Sequence, residues 1–191
     1  MTGGIATGKS TVANMFKERG AKIISADQLV HQLLEPGTAS FRRVKAAFGP
    51  QIMSAGKIDR KKLARIVFND KGKLRKLERI IHPQVRKRIR RKISEFQKNK
   101  RIKVVVVEIP LLYEARFENE VEATVVVVSS RQLQIKRAVR KLGITKNEAL
   151  RRIGAQMSLK NKIRLADFII DNNSTKNNTK KQVKELWQKL Q

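Results

Sequence analysis

The sequence predicts an α/β fold, a parallel sheet covered by helices on both faces. Three observations predict it. Residues 104–107 and 125–128 are each an unbroken run of four valines, the β-branched signature of strands buried on both sides. Strand-like and helix-like segments alternate along the chain. A glycine-rich stretch, "GGIATG" at residues 3–8, runs directly into an amphipathic segment, as loops at the carboxyl edge of such sheets do.

The elements follow in order. Residues 9–19 read as a helix with Val12, Met15 and Phe16 on one face, ended by Gly20. "AKIIS" at 21–25 is a short strand. Residues 27–34 are helical and stop at Pro36 and Gly37, and 39–48 form a further helix. The stretch 61–99 is helical and strongly basic, with a break expected at His82–Pro83, because proline removes a helical donor and restricts the residue before it. Strands follow at 103–109 ("KVVVVEI") and 123–129, then helices at 131–142 and 145–156 with Gly143 between them. A short strand at 168–171 precedes a closing amphipathic helix at 175–190, whose inner face carries Val183, Leu186, Trp187 and Leu190.

Composition narrows the function classes. There is no cysteine among the 191 residues, so thiolate metal sites and disulfides are excluded. The longest apolar runs are far too short to span a bilayer, and a cytoplasmic location is the expectation. Lys and Arg total 44 against 16 acids, a formal net charge of +28. Such a chain attracts polyanions of every kind, or simply carries a solvated basic face, and the charge alone does not choose. Aromatics are only 5% of the residues, and no RNA-binding aromatic signature accompanies the charge, so specific nucleic-acid binding is not expected.

Gly3-x4-Gly8-Lys9-Ser10 matches the phosphate-loop pattern. Glycines let the backbone turn tightly and bring its N–H groups close to phosphate oxygens. The helix starting at Lys9 aims its positive end at the same place. In this reading Ala6, Thr7, Gly8, Lys9, Ser10 and Thr11 hold the phosphates of a nucleotide. Lys9 bridges the β- and γ-phosphates, the Ser10 hydroxyl ligates Mg²⁺, and Thr11 reaches the α-phosphate. Only Met1 and Thr2 precede the loop, so its supporting strand is expected to be absent. A start some residues upstream of Met1 is the expected explanation, with this chain less stable than a longer one.

Two acids stand at strand ends. Asp27 follows the second strand, where a carboxylate can accept a proton from an attacking hydroxyl, or can serve as an ordinary first-turn helix acid. Glu108 ends the "VVVVE" strand, where an acid can hold Mg²⁺ or simply be solvated. His82 stands at the expected helix junction, and the only other histidine, His31, is far from it in sequence, so no histidine metal site is read.

These residues carry a resemblance. "TGGIATGKSTV", "ADQLVHQLLEPGT", "IDRKKLARIVFND", "LERIIHPQVR", "EIPLLYE", "VVVVSSRQLQIKRAV" and "EALRRIGAQMSLKNKIRLADFIIDNN" run almost end to end, and the chain resembles the dephospho-CoA kinase family. The resemblance implies a P-loop kinase fold in one domain, 1–191, with a helical acceptor-binding subdomain at about 35–100 and a lid at about 137–160. It implies transfer of the ATP γ-phosphate to the ribose 3′-hydroxyl of dephospho-CoA, the last step of coenzyme A synthesis, with Mg²⁺. Asp27 matches the family's general base. His82 and Arg86 fall in the acceptor-binding part, Glu108 serves both the substrate and Mg²⁺, and Arg137 and Lys141 bring lid charge onto the transferring group.

The chain departs from the family pattern beyond its start. Ser25 stands where the family usually has Asp, and Glu108 replaces Asp. Lys141, before Leu142-Gly143, replaces an arginine, though Arg140 is adjacent. Two other readings stay open: a P-loop kinase for another small hydroxyl acceptor, and a basic nucleic-acid-binding protein with a degenerate loop.

Overall fold

The computed structural model describes residues 1–191. It divides into two compact units, Met1–Ile24 with Phe96–Gln191, and Ser25–Glu95.

The first unit holds the sheet. Its strands are β1 (Thr2–Gly3), β2 (Lys22–Ser25, whose last residue opens the second unit), β5 (Val105–Glu108), β6 (Val125–Val128) and β7 (Phe168–Asp171). β1 pairs in parallel with β6, Thr2 opposite Val126 and Gly3 opposite Val127, and β6 pairs in parallel with β7. β2 pairs with β5. Met1 closes the gap between the two groups. Its amine donates to Val107 O at 2.8 Å, and its carbonyl accepts from Ile109 N at 3.0 Å, the spacing of a parallel ladder. The strand order is therefore β2-β5-β1-β6-β7. The expectation of an absent first strand is corrected here: three residues reach far enough to satisfy both neighbours at the loop end of the sheet. Gly3 is required in that place, since its φ is +151° and a Cβ would lie 2.4 Å from Val127 O.

Helices α1 (Lys9–Lys17) and α9 (Lys176–Lys189) pack on one face. Val12, Ala13, Met15 and Phe16 meet Val183 and Leu186 there, over Val104, Val106, Val125, Val127 and Ile170, with Trp187 and Leu190 partly buried at the margin. Val126 points the other way by strand alternation and is also fully buried. Helix α8 (Leu159–Arg164) packs against β6, while α6 (Arg131–Leu142) and α7 (Lys146–Gly154) contact each other. Ser130, Thr145, Ser158 and Thr175 each cap the helix that follows through their side-chain oxygen.

The second unit is helical: α2 (Ala26–Leu33), α3 (Ala39–Phe48), α4 (Arg60–Phe68) and α5 (Lys71–Gln97), with a hairpin of β3 (Met53–Ser54) and β4 (Lys57–Ile58). The hairpin turns on Ala55 and Gly56, both at positive φ, the two-residue turn suited to strand twist. No sequence pattern pointed to it.

The expected break at His82–Pro83 does not occur. Pro83 lies inside α5, which runs through it for 27 residues. Ile81, Val85 and Ile89 are buried at four-residue spacing, so the apolar stripe continues across the proline. Pro83 and Arg79, four residues before it, are both exposed. The carbonyl that loses its donor can thus turn toward water. The break falls instead at Asp70, whose carboxylate accepts from Gly72 N at 2.8 Å and Lys73 N at 3.0 Å and starts α5.

Candidate nucleotide-binding site

The phosphate loop joins β1 to α1. Gly8 starts the helix at φ +98°, and no side chain caps that end, which leaves the first-turn donors to a ligand anion. Thr7 Oγ1 donates to Gly4 O at 3.0 Å and pins the turn. Lys9 Nζ donates back to the loop carbonyls of Gly4 at 2.8 Å and Gly3 at 3.2 Å, so its charge is held over the loop. Ala6 and Thr11 are partly exposed along the same stretch. Ala6 sits at φ +54°. The left-handed region costs an L-residue about 1–2 kcal/mol, against about 0.5–1 kcal/mol of extra chain entropy for glycine. Ala6→Gly should therefore raise stability by up to about 1.5 kcal/mol, read as a higher urea midpoint at unchanged slope; a lower midpoint would show that the alanine is unstrained.

Ser10 Oγ donates to Glu108 Oε1 at 2.9 Å. The fold thus brings together the two residues read as the magnesium pair, 98 positions apart in sequence. Both supply hard oxygens, which suit Mg²⁺, and that ion asks for only one or two protein ligands beside phosphate and water. No group of three or more His, Cys, Asp or Glu gathers anywhere.

Arg137, mid-way along α6, lies against the loop. Its guanidinium donates to Thr7 O at 3.4 Å and to Asn172 O at 3.0 Å. Lys141 is exposed in the last turn of α6, beside exposed Arg140 and before Gly143, which ends the helix at φ +63°.

Two buried residues that no motif pointed to support this end of the sheet. Lys162 is completely buried on α8; its Nζ donates to Pro110 O at 2.8 Å and pairs with Glu114 at 3.0 Å. Asn172, directly after β7, donates through Nδ2 to Thr7 O at 2.8 Å. A lysine in "SLKNK" and an asparagine in "DNN" carry no spacing signal, because their partners come from distant segments.

In the helical unit, Asp27 occupies the first turn of α2, exposed and without a hydrogen bond or ion pair. Ser25, the departure from the family's Asp, caps that helix by accepting from Gln28 N at 3.3 Å. Arg86 is partly buried one turn beyond His82 on α5. His82 is half-buried. Burial lowers its pKa from the usual 6.5, Glu78 pulls it up, and Arg86 pushes it down. Since the unfolded chain takes up the proton at higher pH than the folded one, stability should fall as pH drops below about 6.5. His82→Gln should flatten that part of the profile, measured as urea midpoints across pH; equal slopes for both proteins would refute it.

A β-strand, glycine loop and uncapped helix, with a lysine over the loop and a hydroxyl–carboxylate pair at its rim, define the class of P-loop phosphoryl-transfer folds. The dephospho-CoA kinase family model matches residues 1–178. A dephospho-CoA kinase from Symbiobacterium thermophilum is 43% identical over 98% of this chain and 78% of its own length. One from Carboxydothermus hydrogenoformans is 42% identical over 99% and 92%. Among solved structures, a Thermus thermophilus protein superposes with a TM-score of 0.86 at 29% identity, over 100% of this chain and 95% of that one. The dephospho-CoA kinase from Campylobacter jejuni gives 0.72 at 29%, over 99% and 94%. The chain belongs to the dephospho-CoA kinase family.

Proposed function

We propose that this chain phosphorylates the ribose 3′-hydroxyl of dephospho-CoA with ATP, releasing CoA and ADP. Family membership supplies the acceptor. The observation that carries the donor side is the Ser10–Glu108 hydrogen bond at the helix end of the phosphate loop. Backbone N–H groups of residues 6–11 hold the ATP phosphates, and Lys9 leaves the Gly3 and Gly4 carbonyls to neutralise charge between the β- and γ-phosphates. Ser10 and Glu108 would hold Mg²⁺, directly or through water, and the ion would supply positive charge to offset that of the phosphates. Asp27 accepts the proton of the 3′-hydroxyl as the new O–P bond forms and the bond from the γ-phosphorus to the β–γ bridging oxygen breaks. His82 and Arg86 contact the acceptor. Arg137 acts from beside the loop, and residues 137–160, with Lys141, close as a lid that excludes water. A cytoplasmic setting fits the family. No helix is long and apolar enough to cross a membrane.

An ADP-release assay tests this. Turnover is expected with dephospho-CoA and MgATP and not with a panel of nucleosides and sugars. Equal turnover with another hydroxyl acceptor would overturn the assignment, and salt-resistant RNA binding without turnover would point to the nucleic-acid reading instead.

A further inference from the structure

Asn172 lies outside the phosphate-loop motif, yet it joins three elements at the loop. Its backbone N–H donates to Val128 O at 2.9 Å and so extends the β6–β7 ladder. Its carbonyl accepts from Arg137 Nη2 at 3.0 Å. Its side chain is buried between the loop and α9: Nδ2 donates to Thr7 O at 2.8 Å, and Oδ1 accepts from Thr179 Oγ1 at 3.1 Å. Thr179 is fully buried. Only this orientation of the amide works. Thr7 O can only accept, so it must face the NH₂ end, which leaves the oxygen end for the threonine hydroxyl.

The consequence falls on the loop. Thr7 O receives two donors, from Asn172 and Arg137, so its carbonyl is held on the protein side. In a trans peptide the C=O and the following N–H point in opposite directions, and no peptide bond here is cis. Fixing Thr7 O therefore aims the Gly8 N–H away from Asn172, to the open side of the loop. Gly8 is matched to this neighbour: a Cβ there would come 2.0 Å from Asn172 Nδ2.

We infer that Asn172, oriented by Thr179, is the positioning residue that sets the Thr7–Gly8 peptide for phosphate binding. The inference rests on the reading that the loop binds ATP, and it adds α9 to the elements that determine nucleotide affinity. The amide itself touches no phosphate; it acts through the loop.

The test uses the full chain and ADP with Mg²⁺ as the probe, followed by isothermal titration at a temperature where circular dichroism shows each variant folded. Asn172→Ala should weaken ADP binding about tenfold, the loss expected from one buried hydrogen bond. KM for ATP should rise in parallel, with KM for dephospho-CoA unchanged. Thr179→Val, which removes the hydroxyl that orients the amide, should weaken ADP in the same direction, while Thr179→Ser should bind as the unsubstituted chain does. A purely structural role would lower the melting temperature and leave ADP affinity alone, and that result overturns the inference. If Asn172→Ala fails to fold, the Thr179 pair decides: equal affinity in Val and Ser overturns it. A chain that binds ADP but does not phosphorylate dephospho-CoA would refute the proposed acceptor and leave this inference standing.

Discussion

Asp27→Asn is expected to lower kcat by on the order of 10²–10⁴-fold, the usual contribution of a positioned general base. Asp27 is exposed in the first turn of α2 and makes no hydrogen bond or ion pair, so its carboxylate is not committed to any protein partner. Asparagine keeps the size and leaves the Ser25 cap on Gln28 N intact, but it cannot take the proton of a hydroxyl. ADP affinity should be unchanged, because the phosphate loop is a separate segment with its own supports. Turnover at the level of the unsubstituted chain would remove Asp27 from the chemistry. A loss of ADP affinity equal to the loss of turnover would assign it to nucleotide binding instead.

Lys162→Met should cost roughly 3–5 kcal/mol, the range for removing one partner of a buried ion pair, and should fall toward the lower end because the Glu114 side chain is 25% exposed. The ammonium is fully buried and serves two acceptors, Pro110 O and Glu114. Glu114 also accepts from Met157 N at 2.9 Å, so the loop after β5 is tied to the segment before α8. Set against a typical total of about 5–15 kcal/mol, the loss should appear as a large fall in the urea midpoint. Lys162→Met with Glu114→Leu should recover much of it, since no charge is then left unpaired. An unchanged midpoint in the single variant would show that the pair contributes nothing to folding.

Much of the site was legible locally. The loop spacing, the helix after it and the valine runs are short-range patterns, and they point to Lys9, Ser10 and Glu108 as candidates. The Ser10–Glu108 contact at 2.9 Å then follows from placing two strand ends side by side. The break expected at Pro83 does not form because a proline rule is local, while the buried stripe of Ile81, Val85 and Ile89 that carries α5 through it is a tertiary fact. The first strand differs from its expectation for a similar reason. Two residues are too few to read as a strand alone, yet Thr2 and Gly3 have β6 on one side, and Met1 bonds β5 on the other.

By itself the sequence determined the α/β class, the phosphate loop, and the resemblance that the family match bears out. Those depend on residues within a few positions of one another, where backbone preference and hydrogen-bond reach decide the outcome. Only the tertiary structure decided that Asn172 and Arg137 share the Thr7 carbonyl and that Lys162 is buried against Glu114. Each of those contacts joins segments 48 or more positions apart, and a polar side chain reveals its partner only once burial has removed water as the alternative.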